Sequence, residues 1–482
     1  MNRRNEPVSA ITTLLIACVL LTNTATGAPA AWSQFRGDRG LGTSEGPLPP
    51  THFGPQSNLL WRLELPAGNS SPCILGHRLF LTGYSQSKLE TLCIDRLKGT
   101  ILWRQGAPTT QFEPTHRLGS PASPTPCTDG ERVYVYFGSY GLLAYDLDGK
   151  TLWQKPLPAP VVEFGTSSSP VLVGNRIVLI CDQDEGSYLL AVDKYTGATA
   201  WRVERPDFRR SFSSPFLWQT SKGEELVVPG SIWLKGYDPV QGTELWTYTG
   251  TSRVANTTPV ADGDTLIYSS WNLGADSGNR VTMPPAEEFF AANDSNKDAK
   301  LSAAEIPAGP VKERFSQMDV NKDGLVARSE WDMMRDMFAK ANNALIAIRA
   351  GGKGDITESH LLWKSTRSLP YVSSPLVHQG RVFTIKSGGL ASCYELKTGR
   401  VLYQDERVGV VGDYYSSAVA AGDRVYLGSQ SGTMLVIRLG DTLDVLARND
   451  LREPIMATPA IVDGRLYVRA GQTLLAFGER ER

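Results

Sequence analysis

Short apolar runs, rich in β-branched and aromatic side chains, recur along almost the whole chain and are separated by turns containing Gly, Asp and Thr. Such runs read as strands, and the Asp-Gly and Thr-Gly pairs between them as hairpins, because these turns need a positive φ. A recurrent phrase organises them: Ser-Pro or a close variant, usually a Gly four or five residues later, then a strand. It starts at Ser71, Thr125, Ser169, Ser214, Thr258, Ser374, Ser417 and Thr458, at spacings of 54, 44, 45, 44, 116, 43 and 41. A second phrase, Ala-x-Asp-x-x-x-Gly-x-x-x-Trp, closes each unit. It is clearest from Ala191 through Asp193 and Gly197 to Trp201, and its last position also holds Trp103, Trp153, Trp246, Trp363 and Tyr403. A period in the low forties with four strands per unit predicts a β-propeller.

Closure is also predicted. The eighth unit ends at 474–477 without a closing Trp strand, whereas the Trp61 strand lies upstream of the first complete unit. Placing that strand as the outer edge of the last blade completes eight blades and removes the free edge. The expected fold is all-β, an eight-bladed β-propeller over 32–275 and 343–478. Recurring once per blade, the tryptophans are read as rings packed between neighbouring blades, each burial worth roughly 2–3 kcal/mol, rather than as a cofactor stack.

The spacing of 116 exceeds its neighbours by about 70 and locates an insertion in blade five, over 276–342. Its apolar period changes to helical: a helix starting near Pro285, a second over 310–318, and a third carrying Trp331, Met334, Met337 and Phe338. The methionines, with Met318 and Met333, are expected to form a small core rather than an open groove. Between the helices lie two loops, 294–305 and 319–330, of the form Asp-x-Asn-x-Asp-x6-Glu, which predicts an EF-hand pair. In the first, Asp294, Asn296, Asp298, the Lys300 carbonyl, Ser302 through water and Glu305 are the expected calcium ligands. In the second they are Asp319, Asn321, Asp323, the Leu325 carbonyl and Glu330. Calcium takes six to eight hard oxygens, and without a cation these carboxylates would repel one another. Position six needs a left-handed residue, which suits Gly324 and costs Ala299 roughly 1 kcal/mol. The second site is therefore expected to be the tighter, and Lys297 and Lys300 weaken the first further.

Composition narrows the function. With 49 Lys plus Arg against 50 Asp plus Glu, the net charge is −1. No basic stripe is present, which argues against nucleic acid or a membrane surface as partner. Residues 1–27 read as a signal peptide: Arg3 and Arg4, an apolar run over 8–21, then small residues. A lipoprotein-like box ends at Cys18, although the apolar run continues past it. No other stretch is long and apolar enough to span a membrane. Five cysteines remain after processing, without metal spacing; Cys73 and Cys93 are the nearest pair for a disulfide.

The repeat phrases resemble the pyrroloquinoline-quinone (PQQ) repeat proteins over roughly 32–477, insert excluded. Within that superfamily the chain looks closer to the BamB-like propellers than to quinoprotein dehydrogenases, and Trp32 to Gly37 resembles a leader of exported relatives. The leading reading is a periplasmic, envelope or secreted propeller that binds another envelope or extracellular protein without catalysis, since no reactive set is recognisable, with calcium in the two acidic loops rather than PQQ as cofactor. The alternative is a PQQ-dependent oxidoreductase (quinoprotein). Dehydrogenases of that kind typically use an adjacent cysteine pair and a calcium against the quinone, and this chain has no adjacent cysteines. A structural or adhesive surface protein is a third reading.

In propellers, binding residues sit on the variable loops of one face. Those loops carry Glu113, His116, Arg117, Glu163, Asp207, Arg209, Arg210, Arg253, Asn256, Tyr371, Asp413, Tyr414 and Arg452. They predict a mixed polar funnel without a recognisable catalytic triad, and His116 is read as an ordinary loop residue. The acidic stretch 182–186 lacks calcium-loop spacing and is read as a solvated turn.

Overall fold

The computed structural model describes Met1 and residues 30–479, apart from Thr110, Ser277 and Asn279. The expected signal peptide and the Cys18 box lie outside the described residues. Among those described, no helix is long and apolar enough to cross a membrane.

Eight antiparallel sheets form the eight blades of a propeller. The last blade is closed as the sequence predicts: Leu59–Glu64 pairs antiparallel with Thr473–Phe477, so the N-terminal strand becomes its outer edge. Two further short strands add to inner edges, Ala31–Trp32 on blade one and Thr43–Ser44 on blade seven. A third, Gly354–Asp355, lies parallel to the outer strand of blade four.

The two repeat phrases have separate physical roles. Each opening Ser or Thr accepts a hydrogen bond from the backbone N–H of its counterpart in the preceding blade. The chain of acceptors runs Ser71, Thr125, Ser169, Ser214, Thr258, Ser374, Ser417, Thr458 and back to Ser71, with N–O distances of 2.9–3.3 Å. These eight bonds form a closed ring at the inner strands. The closing Trp docks outward. Trp103 packs on Gly149 of the next blade and donates to the Leu147 carbonyl at 3.0 Å, and Trp153 does the same with Gly197 and Lys194 at 2.9 Å. Trp61 on Gly99 and Trp363 on Gly399 repeat the arrangement. The glycines are left-handed (φ 89° at Gly149, 71° at Gly197), and a Cβ there would enter the ring. Trp246 departs from the pattern: it turns into its own blade, over Gly236, and donates to Glu225 at 2.6 Å.

All five described cysteines are free. Cys73 and Cys93, the nearest pair for a disulfide, are not bridged, because Phe80 pairs with both residues from the strand between them. Two strand spacings, roughly 10 Å, exceed the span of a disulfide.

The residues between strands Thr265–Ser270 and Ala344–Arg349 of blade five carry three helices, α1 (Ala286–Asn293), α2 (Phe315–Met318) and α3 (Arg328–Lys340). They enclose a small core of Phe290, Leu301, Met318, Val326, Trp331, Met334 and Phe338, with Phe289 stacked on Trp331 at 4.2 Å. The second helix is shorter than the expected 310–318. Arg314 (φ −108°, ψ 14°) leaves the helical path, and its guanidinium takes the Pro310 carbonyl at 2.5 Å.

Candidate functional site

A cavity of about 520 Å³ fills the funnel along the propeller axis, and all eight ring Ser and Thr residues line it. The segment after Trp32 closes the other end. The Ser33 carbonyl meets blade two, Arg39 reaches Gln219 of blade four, Arg36 donates to the Pro375 carbonyl of blade six at 2.6 Å, and the Gly42 carbonyl accepts from Ala420 of blade seven. Phe35 projects from this plug into the cavity wall. The funnel is therefore blind.

Of the loop residues picked out in the sequence, His116, Arg209, Arg210, Arg253, Asn256 and Tyr371 line the cavity. Tyr414 does not; its hydroxyl is tied to the Val410 carbonyl at 2.8 Å, and its neighbour Tyr415 lines the wall instead. Glu163 reaches Arg210 at 3.1 Å. Glu113 is buried behind the wall, accepting from the Thr166 hydroxyl at 2.9 Å. Burial pushes its carboxyl up to about 7. Arg117, Asp207, Asp413 and Arg452 are not part of the lining.

The acidic stretch 182–186 is not the solvated turn the sequence suggests. Asp182 makes a bidentate pair with Arg205 (2.8 and 2.9 Å), with both side chains at most 1% exposed. Arg205 also donates to the Tyr237 hydroxyl at 2.7 Å and stacks on Phe208. Asp184 holds Arg210 in the same way. These pairs tie a loop within blade three to the connection from blade three to blade four, so acids that look like surface decoration are internal struts.

The insert reaches the funnel mouth. Arg209 donates to the Gln317 carbonyl at 2.8 Å, Arg253 approaches the Gln317 side chain at 3.4 Å, and Met334 and Met337 join the cavity lining. Arg253 stacks on Phe338 at 4.4 Å. Burial draws its guanidinium down to about 10, and Arg314, Arg210 and Arg209 add repulsion.

The two acidic loops share one geometry. Position six is left-handed in both (Ala299 φ 64°, Gly324 φ 84°), and its N–H donates to the first Asp: Ala299 to Asp294 at 2.9 Å, Gly324 to Asp319 at 3.0 Å. Lys300–Ser302 and Leu325–Ala327 form a two-stranded sheet that joins the loops, pairing Leu301 with Val326. Each closing Glu ties both ends of its loop. Glu305 accepts from the N–H groups of Ser295 and Ser302, and Glu330 from those of Val320 and Ala327. The Ser302 bonds hold the Glu305 carboxyl down to about 2.

Tested against a cation, the loops offer one clear signature. Asp319 Oδ1 is buried with no hydrogen-bond partner, as a first ligand awaiting an ion would be. Among the described residues, no three His, Cys, Asp or Glu side chains converge at metal spacing, so the carboxylates of Asp294, Asp298 and Glu305, and those of Asp319, Asp323 and Glu330, are not brought together as a ligand set. The Lys300 ammonium rests on Asp323 at 2.8 Å, and the amides of Asn296 and Asn321 face Asp298 and Asp323. The oxygens of this loop set thus hold the nearest available positive groups.

Comparison with known proteins agrees with the fold. BamB from Yersinia pestis, an outer membrane protein assembly factor, is 22% identical over 346 residues, which is 66% of this chain and 75% of that one. The factor of the same description from Escherichia coli (strain K12) is 24% identical over 96 residues, 20% of this chain and 23% of its own. In structure, BamB from Moraxella catarrhalis superposes with a TM-score of 0.54 at 12% identity, over 87% of this chain and 99% of that one. Quinohemoprotein alcohol dehydrogenase from Comamonas testosteroni gives 0.54 at 12%, over 94% and 81%. At such identities the structures share the fold and nothing finer. The family described as outer membrane protein assembly factor BamB matches residues 54–188 and 345–481, more than half of the sequence on both sides of the insert, and the chain belongs to it.

Proposed function

We propose that this chain is an exported, non-catalytic propeller that docks another envelope or extracellular protein and carries a calcium-binding EF-hand pair at its funnel mouth. The docking half rests on the family, whose described relatives are assembly factors. The calcium half rests above all on Asp319 Oδ1, an orphaned buried oxygen at the first position of a loop whose sixth residue is left-handed.

In this reading Asp294, Asn296, Asp298, the Lys300 carbonyl, Ser302 through water and Glu305 hold one ion. Asp319, Asn321, Asp323, the Leu325 carbonyl and Glu330 hold the other. The ions would replace the Lys300 ammonium on Asp323 and relieve repulsion among the carboxylates. Because Gln317 lies two residues before Asp319 and bonds Arg209, the ordered second loop would brace the funnel rim. A module rigidified in this way presents a fixed surface beside the cavity.

The experiment is affinity capture on the tagged full chain from an envelope fraction, with calcium and with chelator, alongside a calcium titration of its thermal stability and helical signal. A partner retained with calcium and weakened by chelator supports both halves. If calcium and chelator give identical stability and helicity, the EF-hand assignment falls. If no envelope protein is retained under either condition, the docking role falls.

A further inference from the structure

We propose that the blind funnel binds a small organic anion, a carboxylate or phosphate carried on an apolar body. This goes beyond the docking role and does not depend on the calcium loops.

The first observation is an excess of buried positive charge. Arg209, Arg210 and Arg253 line one cavity, and the acids facing them are few. Asp184 serves Arg210 and stands 3.8 Å from Arg209, Glu163 lies on Arg210, and the charge of Glu330 reaches Arg209 from the insert. Among the described residues Arg253 has no carboxylate partner, and it also feels Arg314. The Nε groups of Arg209 and Arg253 are buried without acceptors, and the Arg209 side chain is only 9% exposed. Arg36, fully buried in the plug beneath, donates to the Pro375 carbonyl, and among the described residues its Nε and Nη1 have no acceptor. Arg209 keeps the Gln317 carbonyl, and Arg253 the Gln317 side chain and the Leu273 carbonyl at 3.4 Å, but a buried guanidinium N–H left without an acceptor is costly unless something supplies one.

The second observation is the hydroxyl ring. Each of the eight Ser and Thr hydroxyls accepts a neighbour's N–H, and among the described residues none donates its own proton. Eight O–H donors thus surround the cavity while acceptors are scarce. The third is the wall between them: Phe35, Phe164, Phe212, Trp271 and Met334 supply apolar surface. Donors and cations converging in an otherwise apolar pocket suit a ligand with one anionic head and an apolar body.

The test is ligand-observed saturation-transfer NMR on the full chain with benzoate, phenyl phosphate and the neutral benzyl alcohol. We expect transfer to one or both anions and none to the alcohol; the stronger anion identifies the head group. Sulfate should compete. Arg253→Gln should weaken binding about tenfold, the loss of one charge-assisted hydrogen bond, and Arg209→Gln should weaken it similarly. Arg104→Gln, an exposed position on the outer strand of blade one, should leave affinity unchanged. If Arg209→Gln loosens the loop it holds, Arg253→Gln and sulfate competition still decide the matter. Equal transfer to benzyl alcohol, no transfer at millimolar anion, or undiminished binding in Arg253→Gln would overturn the proposal.

Discussion

Exchanging the sixth residues of the two acidic loops isolates one physical difference between them. Both N–H groups make the same hydrogen bond to the first Asp, at 2.9 Å from Ala299 and 3.0 Å from Gly324, and both residues are left-handed. A Cβ built on Gly324 meets no atom within 4 Å, so Gly324→Ala introduces backbone strain and no clash. Under the calcium proposal, a non-glycine residue held in that region by the bound ion costs roughly 1 kcal/mol, which is about a fivefold change in affinity. Gly324→Ala should therefore weaken the second site about fivefold, and Ala299→Gly should tighten the first by the same factor. The assay is calcium calorimetry on the full chain, with Glu305→Gln or Glu330→Gln silencing one loop while the other is read. Sites that keep their rank and their affinities within a factor of two in the double exchange would refute the strain argument. Unequal sites in that result would point to Lys297 and Lys300 as the cause.

Three further expectations follow from buried groups. Asp182→Asn leaves the Arg205 cation without its counter-charge in a site where both side chains are at most 1% exposed, and should destabilise the fold by about 3–5 kcal/mol in urea denaturation. A loss below about 1 kcal/mol would mean that water reaches the pair. Glu113, raised to about 7 from 4.5 by burial, binds its proton more tightly folded than unfolded. Its contribution is complete below pH ~4.5 and is lost as the pH rises through ~7, by at most ~3 kcal/mol; Glu113→Gln should flatten that slope in melting curves taken from pH 4 to 8. Ser374→Ala removes the acceptor of the Thr258 N–H, one link of the closed ring, and should cost about 1–3 kcal/mol of stability without changing secondary structure by circular dichroism.

The blade count was legible because each repeat phrase encodes a contact with the next blade. The Gly of the closing phrase is the seat for the preceding blade's Trp, and the pair recurs wherever both residues are kept. Trp246 shows the limit: its seat in blade five is missing, because Ser359 stands where the Gly would be four residues before Trp363, and the ring turns onto Gly236 and Glu225 of its own blade. The opening phrase was legible as a period and not as chemistry. Its eight starts are all Ser or Thr, a restriction that Pro-led turns alone do not require, and that was the available signal for the hydroxyl ring.

What stayed hidden depends on distance along the chain. Asp182 and Asp184 look like a solvated turn because their partners, Arg205 and Arg210, lie 23 and 26 residues away on another loop. Tyr414 and Tyr415 are adjacent, and a bond from the Tyr414 hydroxyl to the Val410 carbonyl, only four residues back, turns Tyr414 away and leaves Tyr415 on the cavity wall. The Trp32 to Gly37 segment could be recognised as a leader, but its work is done across the axis, where Arg36 reaches blade six and Phe35 enters the funnel. Paired or plugging residues of this kind are invisible to periodicity because no repeat carries them. They are also what separates a bare propeller from one whose axial funnel is plugged by the segment after Trp32 and lined by Arg209, Arg210 and Arg253 beside the hydroxyl ring that the repeat itself supplies.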